Sequence, residues 1–157
     1  MDDPVGHLVR AGAGRTVHLG NIILSFKDVA AAPLGACSIC VSESQPGSGA
    51  APHRHWSYGE WHIILEGKYK CRLGNEIHDV VAGDMVYAPP GSVHGFRNVG
   101  EGTGRQLLIS WPPNHFEAFM TEIAGGATDT GRPGSRSATD FRRIAASYGV
   151  EFVDTDI

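Results

Sequence analysis

Cysteine is scarce in this 157-residue chain, which has three, Cys37, Cys40 and Cys71. No disulfide is needed, because a domain of this length buries roughly 68–70% of the surface its unfolded chain exposes. Cys37 and Cys40 form a lone C-x-x-C. With no second pair and no βαβ pattern beside it, the motif reads as small core residues rather than as a redox couple or half a zinc site. Residues i and i+3 of an extended segment also face opposite ways. Basic residues are few as well, 13 against 17 acidic ones, for a formal net charge of −4. No basic run occurs, which argues against nucleic acid as a partner. Long apolar stretches are missing, and the opening MDDPVGHLVR has no apolar signal region. Neither a membrane span nor a secretory leader is expected, so the expected setting is cytoplasmic and the expected partner a small molecule.

What the chain does have is turn residues, with 21 glycines and 9 prolines. Between them lie short runs of strand type near Thr16–His18, Ile22–Phe26, Ala36–Glu43, Glu60–Leu65, Lys68–Leu73, Glu76–Val81, Met85–Ala88, Gly95–Val99 and Gln106–Trp111. Lys68, Lys70 and Arg72 alternate with Tyr69, Cys71 and Leu73, a period of two that separates charge from bulk. Leu73-Gly74-Asn75-Glu76 reads as a tight turn. Many short strands at this spacing predict an all-β sandwich or barrel over residues 1–112. Residues 113–157 read as a helical extension. Asn114 and Glu117 suit a capping box, and Phe116, Phe119, Met120 and Ile123 form an apolar stripe. A second helix is predicted from Thr139 to Ser147, with Gly149 as its C-terminal cap.

The densest chemistry is PHRHWSYGEWH, residues 52–62. In a strand, His53 and His55 point to one face. Glu60 follows a segment whose Gly59 permits a bend. Two imidazoles and a carboxylate can converge on a divalent cation, and His94, directly after the rigid Pro89-Pro90-Gly91 turn, offers a fourth donor. His62, two residues beyond Glu60, faces the same way; it reads as a partner to a ligand, a proton shuttle, a substrate hydrogen-bonder, or a histidine satisfied by backbone.

These residues fall into two longer patterns. Gly47, five residues, His53, one, His55, four, Glu60, six, Gly67 resembles the first signature of the cupin superfamily. Gly83, five residues, Pro89, one, Gly91, two, His94, three, Asn98 resembles the second, fifteen residues further on. The resemblance implies a double-stranded β-helix, a jelly-roll barrel with two C-terminal α-helices, and one metal held by His53, His55, Glu60 and His94. Such a donor set suits Fe first, and also Mn, Co, Ni, Cu or Zn. Asn98 is expected to tie down backbone. Phe96 is expected to line the cavity. Trp56 and Tyr58 are expected to wall its mouth, or else to pack beneath the loop.

Among cupins, the APHRH, LEG and PPGSVHGFRN runs look most like quercetinase-type dioxygenases. That likeness implies a catalytic Glu60 that doubles as base, a small aromatic or enolisable substrate, and a homodimer. The same centre also suits a non-oxidative isomerase, cyclase, decarboxylase or lyase, or a non-catalytic ligand-binding barrel, because one fold hosts many chemistries.

Overall fold

In the computed structural model, which describes residues 6, 8–27, 37–112, 116–125 and 138–157, strands dominate. They are β1 (Thr16–Leu19), β2 (Ile22–Phe26), β3 (Ser38–Ser44), β4 (Gly49–His55), β5 (Gly59–Glu66), β6 (Lys68–Leu73), β7 (Glu76–Val81), β8 (Met85–Ala88), β9 (His94–Asn98), β10 (Gly104–Trp111) and β11 (Val150–Phe152), with helices α1 (Phe116–Ile123) and α2 (Ala138–Ser147). β3 pairs with β10, β4 with β9, β5 with β8 and β6 with β7, all antiparallel. That nesting is one long hairpin of four strand pairs. It is rolled so that successive pairs alternate between a six-stranded sheet, β1-β2-β3-β10-β5-β8, and a five-stranded sheet, β11-β4-β9-β6-β7. The fold is the expected jelly-roll barrel.

Alternation along the strands sorts side chains between inside and outside. On β6, Tyr69 and Cys71 are buried while Lys68 is exposed. Burial pushes the Cys71 thiol up to about 11, so it packs as a neutral side chain. Two apolar clusters fill the interior. One joins Leu24, Phe26, Cys40 and Leu108 to Phe116 and Phe119 of α1 and to Ile144 and Ala145 of α2. The other joins Ile64, Tyr69, Cys71, Val80, Val86 and Phe96. The predicted stripe on α1 therefore faces the barrel, where Phe116 meets Phe26 edge-on at 5.7 Å. The Asn114 cap lies outside the described residues. The reading of the C-x-x-C as small core residues holds for Cys40, which sits in the first cluster, while Cys37 is half-buried.

Two elements differ from expectation. Gly49–His55 is a full strand, although its glycine, alanines and proline are poor strand formers. Pairing with β9 overrides that composition. The C-terminal extension is also not purely helical, since β11 returns to the barrel and pairs with β4. Among the described residues, no helix is long and apolar enough to cross a membrane.

Asn98 ties down backbone as anticipated. Its Nδ2 donates to the carbonyls of Ser44 (2.8 Å) and Gly102 (2.9 Å), and its Oδ1 accepts from Gly100 N–H (2.9 Å). Asn98→Ala orphans these buried groups, so it should lower stability by about 3 kcal/mol. Chemical denaturation reads this directly, and a loss below about 1 kcal/mol contradicts the structural role.

Candidate metal centre

Strand register brings the two sequence motifs together. His53 on β4 stands directly opposite His94 on β9, with ring centroids 4.4 Å apart. Arg54 between the two β4 histidines points outward to Glu151 at 2.7 Å, so His53 and His55 share the inner face. Glu60 and His62 alternate inward on β5 and are buried. The turn before His94 docks on the end of β4, where Gly91 N–H donates to the His55 carbonyl at 2.8 Å. Gly91 sits at φ 81°, a left-handed conformation that only glycine adopts without strain.

The nearest donor atoms of His53, His55, Glu60 and His94 all lie within 4.8 Å of one another. Nε2 of His55 and of His94 are 3.5 and 3.4 Å from Glu60 Oε2. Metal–ligand bonds of about 2.1 Å at tetrahedral angles separate such donors by about 3.4 Å. The other nitrogen of each ring is engaged: Nδ1–H donates to Ala51 O in His53 (2.8 Å), to Tyr58 O in His55 (2.7 Å) and to Ser92 O in His94 (3.0 Å). In the neutral ring this leaves the Nε2 lone pair free for an ion. Nε2 of His55 and His94 is buried without a hydrogen-bond partner. Lone pairs and a carboxylate gathered this way repel one another until a cation joins them. The residues fit a divalent transition metal.

Electrostatics agree. Burial drives Glu60 up; hydrogen bonds from imidazole N–H groups outweigh it and hold the carboxyl well below its usual range, the share of His55 and His94 lasting only while their Nε2 carries a proton. Burial, reinforced by His94, lowers His53 to about 3. Burial likewise pushes the Tyr58 phenol up, so it stays protonated. Because folded His53 resists protonation while the unfolded residue takes a proton near 6.5, stability contributed by this site is complete above that pH. It drains away as pH falls toward 3. The metal-free protein should therefore unfold at progressively lower temperature over that window. A His53→Phe variant should show a flatter profile in calorimetry; identical slopes contradict it.

An inner cavity of about 80 Å³ opens onto the centre, lined by His53, Glu60, Ser42 and Phe96, with Leu24 and Leu108 from the sheet and Phe116 and Met120 from α1. Phe96 thus lines the cavity. Tyr58 is buried and stacks flat on His55, with centroids 3.6 Å apart, so it backs that ring. Trp56 lies elsewhere, correcting its assignment to the pocket. It follows the end of β4, is 60% exposed, and faces an outer groove with Arg142 and Phe152 under the Arg54 guanidinium. Sequence reasoning missed Ser110, whose Oγ donates to Glu60 Oε1 at 3.2 Å, and Gln106, 3.1 Å from His62. Gln106 and Ser110 share the inward-facing set of β10 with apolar Leu108, and two polar residues on a core-facing set were the available signal.

Residues 40–110 match the Cupin_2 family, described as a cupin domain. An uncharacterized protein of Methanocaldococcus jannaschii is 37% identical over 71 residues, 45% of this chain; the matched stretch spans 57% of that relative. Among solved structures, KdgF from Halomonas sp. superposes with a TM-score of 0.59 at 16% identity, over 68% of this chain and 94% of that one. A predicted oxalate decarboxylase from Thermotoga maritima gives 0.62 at 19% identity, over 66% and 97%. A sugar phosphate isomerase of the cupin superfamily from Silicibacter pomeroyi gives 0.52 at 20% identity, over 57% and 59%. Identities this low bear on the fold alone.

Proposed function

Since residues 40–110 of this chain match a cupin domain within a jelly-roll barrel, we propose that it is a metal-dependent dioxygenase of a small aromatic or enolisable substrate, with iron as the preferred ion at His53, His55, Glu60 and His94. The observation that carries the metal is the set of inward Nε2 atoms around the Glu60 carboxylate, each ring fixed through Nδ1 to a carbonyl. When bound, the ion supplies Lewis acidity and a meeting point for O₂ and a substrate oxygen. Glu60, held ionised, is the base that takes the enol or phenol proton, and Ser110 orients it through Oε1.

The cavity favours this substrate class. Its lining is mostly apolar and includes no Lys or Arg, whereas a phosphorylated sugar calls for cationic partners. At about 80 Å³ it is below the roughly 300–1,000 Å³ of ordinary ligand pockets, so admitting an aromatic ring requires Phe116 and Met120 to move outward.

Metal analysis of the purified protein, followed by O₂-uptake assays with each metal restored, tests the reading. O₂ consumption coupled to loss of a phenolic or enolic substrate supports it. Full turnover in anaerobic buffer overturns the oxidative reading and favours the second one, a non-oxidative lyase or isomerase, which the ionised Glu60 base serves equally well.

The protein is also proposed to act as a homodimer. The outer face of the six-stranded sheet carries Leu65, Met85, Tyr87 and Trp111, each at least 44% exposed, next to Trp61. A second copy of the same apolar patch covers it symmetrically. Sedimentation as a monomer at micromolar concentration overturns this.

A further inference from the structure

A second polar chain runs through the barrel interior beside the metal donors. His62 is 2% exposed, and its Nε2 lies 3.3 Å from Glu60 Oε2. Its Nδ1 is 3.1 Å from the side-chain amide of Gln106. That amide also faces the Tyr69 hydroxyl, which lies 2.9 Å from Ser44 Oγ. Gln106, Tyr69 and Ser44 are each 1% exposed, so bulk solvent does not reach them. The backbone makes room for this chain: a Cβ on Gly104 would lie 2.2 Å from the Tyr69 hydroxyl oxygen. His62 lies outside the group of mutually close metal donors.

Hydrogen-bond direction decides what His62 does. With the proton on Nδ1, Gln106 Oε1 accepts it. The bare Nε2 then confronts the Glu60 carboxylate, lone pair against lone pair, and Gln106 Nε2, though turned toward the Tyr69 oxygen, makes no geometrically sound hydrogen bond; both nitrogens lack partners in that arrangement. Turning the amide over and placing the proton on Nε2 removes both defects. Ser44 O–H donates to the Tyr69 oxygen, and Tyr69 O–H donates to Gln106 Oε1. Gln106 Nε2–H donates to His62 Nδ1, and His62 Nε2–H donates to Glu60 Oε2. Every buried member is then satisfied, which matters because an unmet buried polar group is strongly unfavourable.

We propose that His62 is a positioning residue rather than a ligand: it carries its proton on Nε2, opposite to His53, His55 and His94, and the Ser44–Tyr69–Gln106–His62 chain aims the Glu60 carboxylate at the metal position. The hydrogen-bond order stands without the metal; only its use in positioning a ligand rests on the proposed function.

Two-bond ¹⁵N–¹H correlation spectra of the full chain, metal-free and loaded with zinc, read the tautomers directly. The expected result is His62 protonated at Nε2 in both states, with His53, His55 and His94 protonated at Nδ1 and their Nε2 resonances moved by zinc. A His62 ring protonated at Nδ1, or a His62 Nε2 that responds to zinc as a ligand does, overturns the proposal. If no histidine responds to zinc while His62 remains Nε2-protonated, the metal reading fails and the hydrogen-bond order survives. Zinc affinity by chelator competition gives a second readout. His62→Phe should weaken binding about 10–100-fold and Gln106→Leu should act in the same direction. His62→Gln, which keeps an N–H near the Nε2 position, should recover most of the loss. Equal affinity in wild type and His62→Phe overturns the positioning role.

Discussion

His94→Ala abolishes stoichiometric binding of a divalent transition metal and leaves both sheets folded. His94 faces His53 across the β4–β9 pair, so its loss removes one of three nitrogen donors and one wall of the cluster. The remaining donors, His53 and the His55–Glu60 pair, hold an ion with an incomplete and more solvated shell. Metal content after gel filtration should fall from about one ion per chain to about a tenth of that or less. The β4–β9 ladder persists, because its hydrogen bonds are main-chain. A corollary separates site from fold. At metal concentrations about 1,000 times Kd, binding stabilises the wild type by about 4 kcal/mol, so a chelator lowers its Tm; the variant's Tm should not respond. A His53→Ala/His94→Ala protein that still carries one ion per chain would refute the metal centre.

Glu60→Gln is the second large effect. Glutamine keeps the shape and the contact with Ser110 but removes the negative charge around which His55, His62 and His94 are gathered. Two consequences follow. Metal affinity drops, because the only anionic donor of the group is gone. At saturating metal, turnover drops by about 10²–10⁴-fold, the usual contribution of a positioned base. The measurement is kcat at full occupancy, with metal content determined on the same sample. Wild-type kcat in fully loaded Glu60→Gln removes Glu60 from the proton-transfer role while leaving it a ligand.

Period and punctuation made most of the barrel legible. Ile22–Phe26, Lys68–Leu73, Glu76–Val81 and Met85–Ala88 end where turn residues say they should. The i, i+2 rule placed His53 with His55 and Glu60 with His62 on inner faces, and the glycine and proline spacings carried His94 to the same point. β4 was harder to read, because its strand character comes from β9 rather than from its own residues. Three-residue β11 gives almost no local signal; it exists because β4 offers an open edge after α2 ends. Trp56 misled because sequence proximity to Glu60 says nothing about which side of a strand end a side chain leaves. Gln106 and Ser110 became visible only when register put β10 beside β5.

β11 occupies the flank of β4 that does not pair with β9, with Glu151 gripping Arg54 and Val153 N–H donating to the Pro52 carbonyl at 2.9 Å. The strand that bears His53 and His55 is thereby an internal one, clamped from both sides. Amide deuteration at β4 is then limited by detachment of β11 on one flank as well as by opening of β9 on the other.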